Sequence, residues 1–412
     1  MYGNRNPSVI DQIPIPGVKA FAFLSALESA ARGILISVLP IAMYRVFTDA
    51  KLTSEIYFVI GILSLLMALL VPWISRIIPR RWLYTLAIST YIGGSTLCAI
   101  TDNWIFAIGL ALMTLSVVVI TVCFNAYVMD YIARARLGEI ETLRLFYSGA
   151  AWTIGPFLGI WLMSIWKPAP FILASVAALC LLIGFWKLRL GNGKVIYKAR
   201  SKPPNPFAFL HRFFKQPRLI AGWTFAVIRS CAWWVYVVYL PIYAVENGYS
   251  EQLGGILLSV SNGFLFLTPL MLKAMRGRVR KIVMLGFSGS GILFLLASYQ
   301  IYGAALAIGL LVAASMFLIV LDMSAGLPFL MAVRPSERTE MSAVYSTYRD
   351  VSGVITPGAA SLLLIFAPLQ MMFGLTALSL FACTYLATKL HPRLGNKQGS
   401  SETISTQLVE DF

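Results

Sequence analysis

Six charged side chains stand inside stretches that are otherwise apolar. Glu28 and Arg32 lie in AFAFLSALESAARGILISVLPIAMY (20–44), Arg229 in FAVIRSCAWWVYVVYLPIY, Asp322 in FLIVLDMSAGLP, and Arg349 and Asp350 follow Tyr345 and Tyr348. A charge at the centre of a membrane helix costs about 2.5–3.5 kcal/mol, so such groups face a partner or a water-filled cavity rather than lipid. Glu28 and Arg32 are one helical turn apart and point the same way. A guanidinium fork suits a carboxylate or a phosphate, which makes Arg32 and Arg229 candidate binding groups. Glu28 and Asp322 are candidates for carrying a proton, because burial favours the neutral acid and a neighbouring arginine favours the charged one. Glu28 could instead simply neutralise Arg32 or Arg229, and Asp322 could partner Arg349. Glu28, Arg32 and Arg229 together leave one positive charge, which favours an anionic or zwitterionic solute over a cation. Asn125, Trp152, Trp233, Trp234, Tyr236 and Tyr239 could line its route.

The elements that hold these residues follow from composition. The chain has 412 residues, of which 58% are hydrophobic and only 12% charged, with a mean hydropathy of +0.78. Soluble domains carry about 25% charged residues, so the excess apolar surface needs lipid. Twelve apolar stretches fall near 20–44, 56–74, 82–100, 104–129, 146–165, 169–188, 219–243, 252–272, 282–301, 304–330, 343–366 and 368–388. Each is long enough to span a bilayer, and backbone in lipid must be bonded within its own segment, so each is predicted to be a helix.

With both termini in the cytoplasm, 27 of the 33 Lys and Arg fall on inner segments and only Arg45, Lys51 and Lys167 on outer ones. This positive-inside bias fixes the expected orientation. It also explains the net charge of +16 without nucleic acid, which would need the charge gathered in one domain. Residues 1–19 lack the pattern of a cleavable signal. The cysteines, Cys98, Cys123, Cys180, Cys231 and Cys383, sit in apolar stretches at unrelated spacings, an arrangement that argues against disulfides and against a metal site.

The chain reads as two related halves. EIETLRLFYS (139–148) matches ERTEMSAVYS (337–346), Gly155 matches Gly353 at the same shift, Pro72 matches Pro269, and Leu39-Pro40-Ile41 repeats as Leu240-Pro241-Ile242. Anchored on that last repeat, Glu28 and Arg229 occupy the same position; anchored instead on the shift of 197 that relates Pro72 to Pro269, Arg229 corresponds to Arg32. The expected organisation is an all-α membrane protein of twelve helices in two pseudo-symmetric six-helix bundles: residues 1–189, a basic linker at 190–218, residues 219–390, and a polar tail at 391–412. The linker ends in FAFLHRFFKQPR, which reads as a short amphipathic helix on the inner surface, either a tether between halves or a lipid contact.

Twelve spans, two halves and a basic central loop resemble the major facilitator superfamily over nearly the whole chain. The resemblance extends to the loop between spans two and three, where Arg80 and Arg81 fit the family motif, while Pro72 and Pro79 replace its glycines and Arg76 its aspartate. With that departure from the family's gate residues, Asp130 could pair with Arg76 or Arg80 instead, and Arg349 with Asp350 could form an inner gate. In span five, Gly149 to Gly159 (GAAWTIGPFLG) resembles the antiporter motif of drug exporters, whereas span four lacks the arginine of their proton-coupling motif. The resemblance implies that spans one and seven face one another across a cavity, where paired arginines resemble the anion sites of organophosphate transporters.

The implied activity is secondary active transport of a small organic solute by alternating access, driven by an ion or solute gradient, with H+ the expected coupling ion. The alternatives are efflux of amphiphilic drugs, or a non-transporting assembly factor or receptor on the same fold. An enzyme is not expected: His211 and His391 are the only histidines and no nucleophile, base and orienter group is visible. No phosphate-binding GxxxxGK[ST] loop is present, and no cofactor is implied. The expected setting is a monomer in the lipid bilayer of a bacterial inner membrane.

Overall fold

A computed structural model describes residues 18–131, 137–188, 206–267, 279–299, 303–324 and 344–390, with residues 326, 328, 329, 333 and 341 between the last two segments. The described residues contain helices and turns and no strand. In chain order the α-helices are α1 (Val18–Leu35), α2 (Val38–Phe47), α3 (Ala50–Ile77), α4 (Arg80–Ile100), α5 (Trp104–Tyr131), α6 (Leu137–Ile165), α7 (Ala169–Lys187), α8 (Pro206–Phe214), α9 (Pro217–Trp234), α10 (Leu240–Glu246), α11 (Glu251–Gly263), α12 (Val279–Tyr299), α13 (Ala304–Ser324), α14 (Tyr348–Leu363) and α15 (Met371–Thr388). Ten helical stretches among the described residues are long and apolar enough to cross a membrane. The expected spans at 252–272 and 343–366 are not among these ten, and residues 268–272 lie outside the described residues. Their described helices, α11 and α14, have 13 and 16 residues.

The first expected span is interrupted, and a proline explains where. The chain makes a turn at residues 36–37 between α1 and α2. Pro40 lacks the N–H that would bond residue 36, and its ring crowds that residue's carbonyl. The same event occurs in the seventh span. Five residues, Val235–Tyr239, wind as a π-helix between α9 and α10, and Val237 stands four residues before Pro241.

The helices group into two compact units. The first holds residues 1–39 and 63–202, and the second 40–62 and 203–412. The stretch 40–62, which comprises most of α2 and the start of α3, thus packs with the later part of the chain. The linker helix α8 belongs to the second unit as well.

In the first unit α1 packs against α6 and α7, and α4 against α5 and α7. The α1–α6 contact is close because glycines face it: a Cβ at Gly33 would lie 2.7 Å from the Ala151 carbonyl oxygen. The GPxxG stretch of α6 therefore serves helix packing, with Gly155 and Gly159 against the backbone of Gly33 and Ile34. In the second unit α12 packs against α13 and α15, α14 against α9, and α10 against α11. There Arg45 donates twice to the Glu251 carboxylate, and Tyr239 donates to Ser54 Oγ at 3.0 Å. These bonds tie α2 and α3 to the seventh and eighth spans.

Candidate functional site

Among the described residues, each unit holds a buried charged side chain in an ion pair within its apolar helices. In the first unit Glu28 is buried on α1, and Arg32 Nη1 donates to Glu28 Oε1 at 3.3 Å. The hydroxyl of Thr121, from α5, donates to the same oxygen at 3.4 Å. The Arg32 guanidinium also lies over the Trp152 ring of α6, 5.6 Å from its centroid, a cation–π placement. Tyr91 donates to the Ala31 carbonyl at 2.9 Å and fixes the backbone between the two charges. A cavity of about 10 Å³ opens here, lined by Glu28, Arg32, Tyr91, Val117 and Ile120 among others, with room for about one water.

In the second unit Arg229 is buried on α9, and its Nε lies 3.1 Å from Asp322 Oδ1 on α13. The N–H does not aim at that oxygen, since the buried Nε has no hydrogen-bond acceptor; the attraction is between charges. Trp233 Nε1 donates to the other carboxylate oxygen at 2.9 Å. Two guanidiniums lie over the Tyr348 ring, with Arg229 Cζ 5.3 Å and Arg349 Cζ 5.7 Å from its centroid. Arg349 Nε donates to the Tyr348 hydroxyl at 3.1 Å.

The sequence left open which acid serves which arginine. Glu28 pairs with Arg32, and Asp322 pairs with Arg229 rather than with Arg349. Arg349 turns to Tyr348, while Asp350 is half-buried beside it. Asn125 and Trp152 are half-buried on α5 and α6, and Trp233 is half-buried on α9. Tyr236 is fully buried, its hydroxyl bonded to Ser261, which also accepts from Ser315 at 3.0 Å. Arg80 lies over the Tyr127 ring at 5.4 Å. The side chains of Arg76 and Asp130 lie outside the described residues.

Two groups emerge that the sequence did not single out. Thr121 holds the acid of the first pair, and Tyr348 the arginine of the second. A further pair of bonds is shared by the units: Ser29 with Ser148 at 2.8 Å, and Ser230 with Ser352 at 2.7 Å. Ser29 and Ser230 directly follow Glu28 and Arg229, so the repeat anchored on Pro40 and Pro241 places a serine at one position in both units. A buried serine in an apolar run reads as packing until its partner is seen.

Among solved structures, a POT family transporter in complex with 5-aminolevulinic acid superposes with a TM-score of 0.76 at 12% identity, over 94% of this chain and 100% of that one. The peptide transporter POT in complex with sulfate gives 0.75 at 14%, over 94% and 98%. A mutant of the nucleoside transporter NupG gives 0.66 at 13%, over 90% and 98%. At such identities the likeness concerns the fold. No curated protein sequence matches the chain. The sequence profile of the Major Facilitator Superfamily matches residues 21–357. With that match over most of its length, and with transporters rather than enzymes as its structural neighbours, the chain belongs to the major facilitator superfamily of integral membrane transporters.

Proposed function

We propose that the protein is a secondary active transporter that moves a small zwitterionic organic solute by alternating access, driven by a proton gradient. The observation that carries this reading is the exposure of the two ion pairs. In the first unit the Arg32 side chain is 37% exposed and its acid, Glu28, 10%. In the second the order is reversed: Asp322 is 34% exposed and Arg229 9%. The first unit offers an accessible cation and the second an accessible anion, the two signs of charge that a zwitterionic solute carries. A compound of this class, 5-aminolevulinic acid, is present in complex with one structural neighbour.

In this reading Arg32, backed by Glu28 and stacked on Trp152, receives a carboxylate. Asp322, oriented by Arg229 and Trp233, receives an ammonium group. Glu28 and Asp322 are the proton carriers, Asn125 lines the solute route, and Tyr236 holds the π segment in place. Arg76, Arg80, Asp130, Arg349 and Asp350 serve the inner gate. Twelve spans in two six-helix halves, divided by the linker at 190–218, complete the architecture. Both termini are cytoplasmic, and the protein works as a monomer in a bacterial inner membrane.

A thermal-shift screen of the purified protein tests the solute class, because a ligand at 100 times its Kd stabilises by about 2.7 kcal/mol. Amino acids and other zwitterions should raise the melting temperature, and Arg32→Ala should remove the effect. Stabilisation by cations alone, undiminished in Arg32→Ala, would reject the assignment.

A further inference from the structure

The helix α8 takes no part in the site described above. It ends at Phe214, and the next long helix, α9, begins at Pro217. Two residues, Lys215 and Gln216, separate a nine-residue amphipathic helix from a membrane span, so α8 must lie at the level where that span meets water. One of its side chains docks on the protein. Phe213 is fully buried and packs with Leu219 of α9, Phe329, Val333, Met341 and Val344, against which Trp223 and Tyr345 also rest. The Phe214 ring stands edge-on to Trp223 at 5.8 Å, alongside the span.

Other side chains of α8 are left outward. Leu210 and Phe214, one helical turn apart, are 41% and 44% exposed. His211, Arg212, Lys215 and Arg218 are exposed around them. An apolar pair bordered by basic residues, held at the edge of a span, has the chemistry of an interfacial helix. Its charge complements one class of surface, the anionic phospholipid headgroup.

We propose that α8 binds anionic phospholipid on the leaflet where it lies, with Leu210 and Phe214 among the upper acyl carbons and Arg212, Lys215 and Arg218 on the phosphates. Through Phe213 the bound lipid bears on α9, which carries Arg229, and on the residues that lead into α14, which begins with Tyr348 and Arg349.

The full-length chain, reconstituted in phosphatidylcholine vesicles with or without phosphatidylglycerol, tests this without a transport assay. A bimane label on Leu210→Cys, in a Cys180→Ser background that removes the exposed cysteine, reports depth through quenching by brominated acyl chains. Quenching should be stronger with phosphatidylglycerol, and salt should weaken that increment. Each basic residue changed to Gln should lower the preference for phosphatidylglycerol about fivefold, corresponding to roughly 1 kcal/mol per charge. Three results would overturn the proposal. The label could be quenched by aqueous iodide and by no lipid, or equally in both vesicle types with no effect of Arg212→Gln, Lys215→Gln and Arg218→Gln combined. Shielding from both quenchers that grows with protein density would point to a second copy of the chain instead.

Discussion

In the first unit the buried member of the ion pair is an acid, and in the second it is an arginine. Yet Glu28 and Arg229 hold one position in the repeat, twelve residues before Pro40 and Pro241, and each is 8% exposed. The next residue is a serine in both, bonded to a serine of another helix in the same unit. The backbone frame thus sets which position is buried, and the side chain placed there sets the sign of the charge that remains accessible. In the first unit the partner comes from the same helix, one turn on. In the second it comes from α13, so the pair also joins two helices.

Coupling gives the largest expected difference between the units. Glu28→Gln should abolish proton-driven accumulation while exchange of solute across proteoliposomes continues. Asp322→Asn should lose accumulation together with affinity for the solute. Normal accumulation by both variants would remove proton carriage from either acid.

Stability should differ next. Asp322→Ala leaves Arg229 buried without its acid, a change that costs about 3–5 kcal/mol. Glu28→Gln keeps an acceptor for Arg32, whose guanidinium reaches accessible surface, and should cost about 1 kcal/mol. Thermal melts of the two variants decide this, and equal losses would break the contrast.

A smaller difference is expected at the glycines. Gly33→Ala drives a methyl group to within 2.7 Å of the Ala151 carbonyl and should cost about 1–3 kcal/mol. At Gly353 an added Cβ meets the Trp234 ring at 3.5 Å, an ordinary contact, so Gly353→Ala should stay within about 0.5 kcal/mol of the parent. The smallest effect should be the same in both units: Ser29→Ala and Ser230→Ala each remove one hydrogen bond, worth about 1 kcal/mol. Unequal losses there would show that the shared frame is not energetically shared.

The helices were legible because lipid demands long apolar runs, and Glu28, Arg32, Arg229 and Asp322 because charge inside such runs is rare. The pairing was less so. Arg32 and Glu28 share a helix and could be matched by spacing, but Asp322 sits on a helix whose distance from Arg229 no periodicity reports. Thr121 was hidden for another reason: in a uniformly apolar helix such as α5 a threonine can bond its own backbone, and only the neighbouring helix shows otherwise. The division at residues 39–40 and 62–63 cuts through the first two expected spans, where the apolar pattern is unbroken. A pattern that reports burial does not say against which neighbour.

The π winding at Val235–Tyr239 has a consequence for how this chain tolerates change in length. A π segment is an α-helix holding one residue more than its rise requires. Removing one residue between Val235 and Tyr239 would let the helix close into ordinary α winding, with Arg229 and Trp233 on one side and Pro241 on the other keeping their angular positions. The same deletion elsewhere in α9 would turn every later side chain by about 100°, the angle per residue of a helix with 3.6 residues per turn. The seventh span therefore carries, at the level of its own proline, a place where the register of the membrane helix can be reset by a single codon.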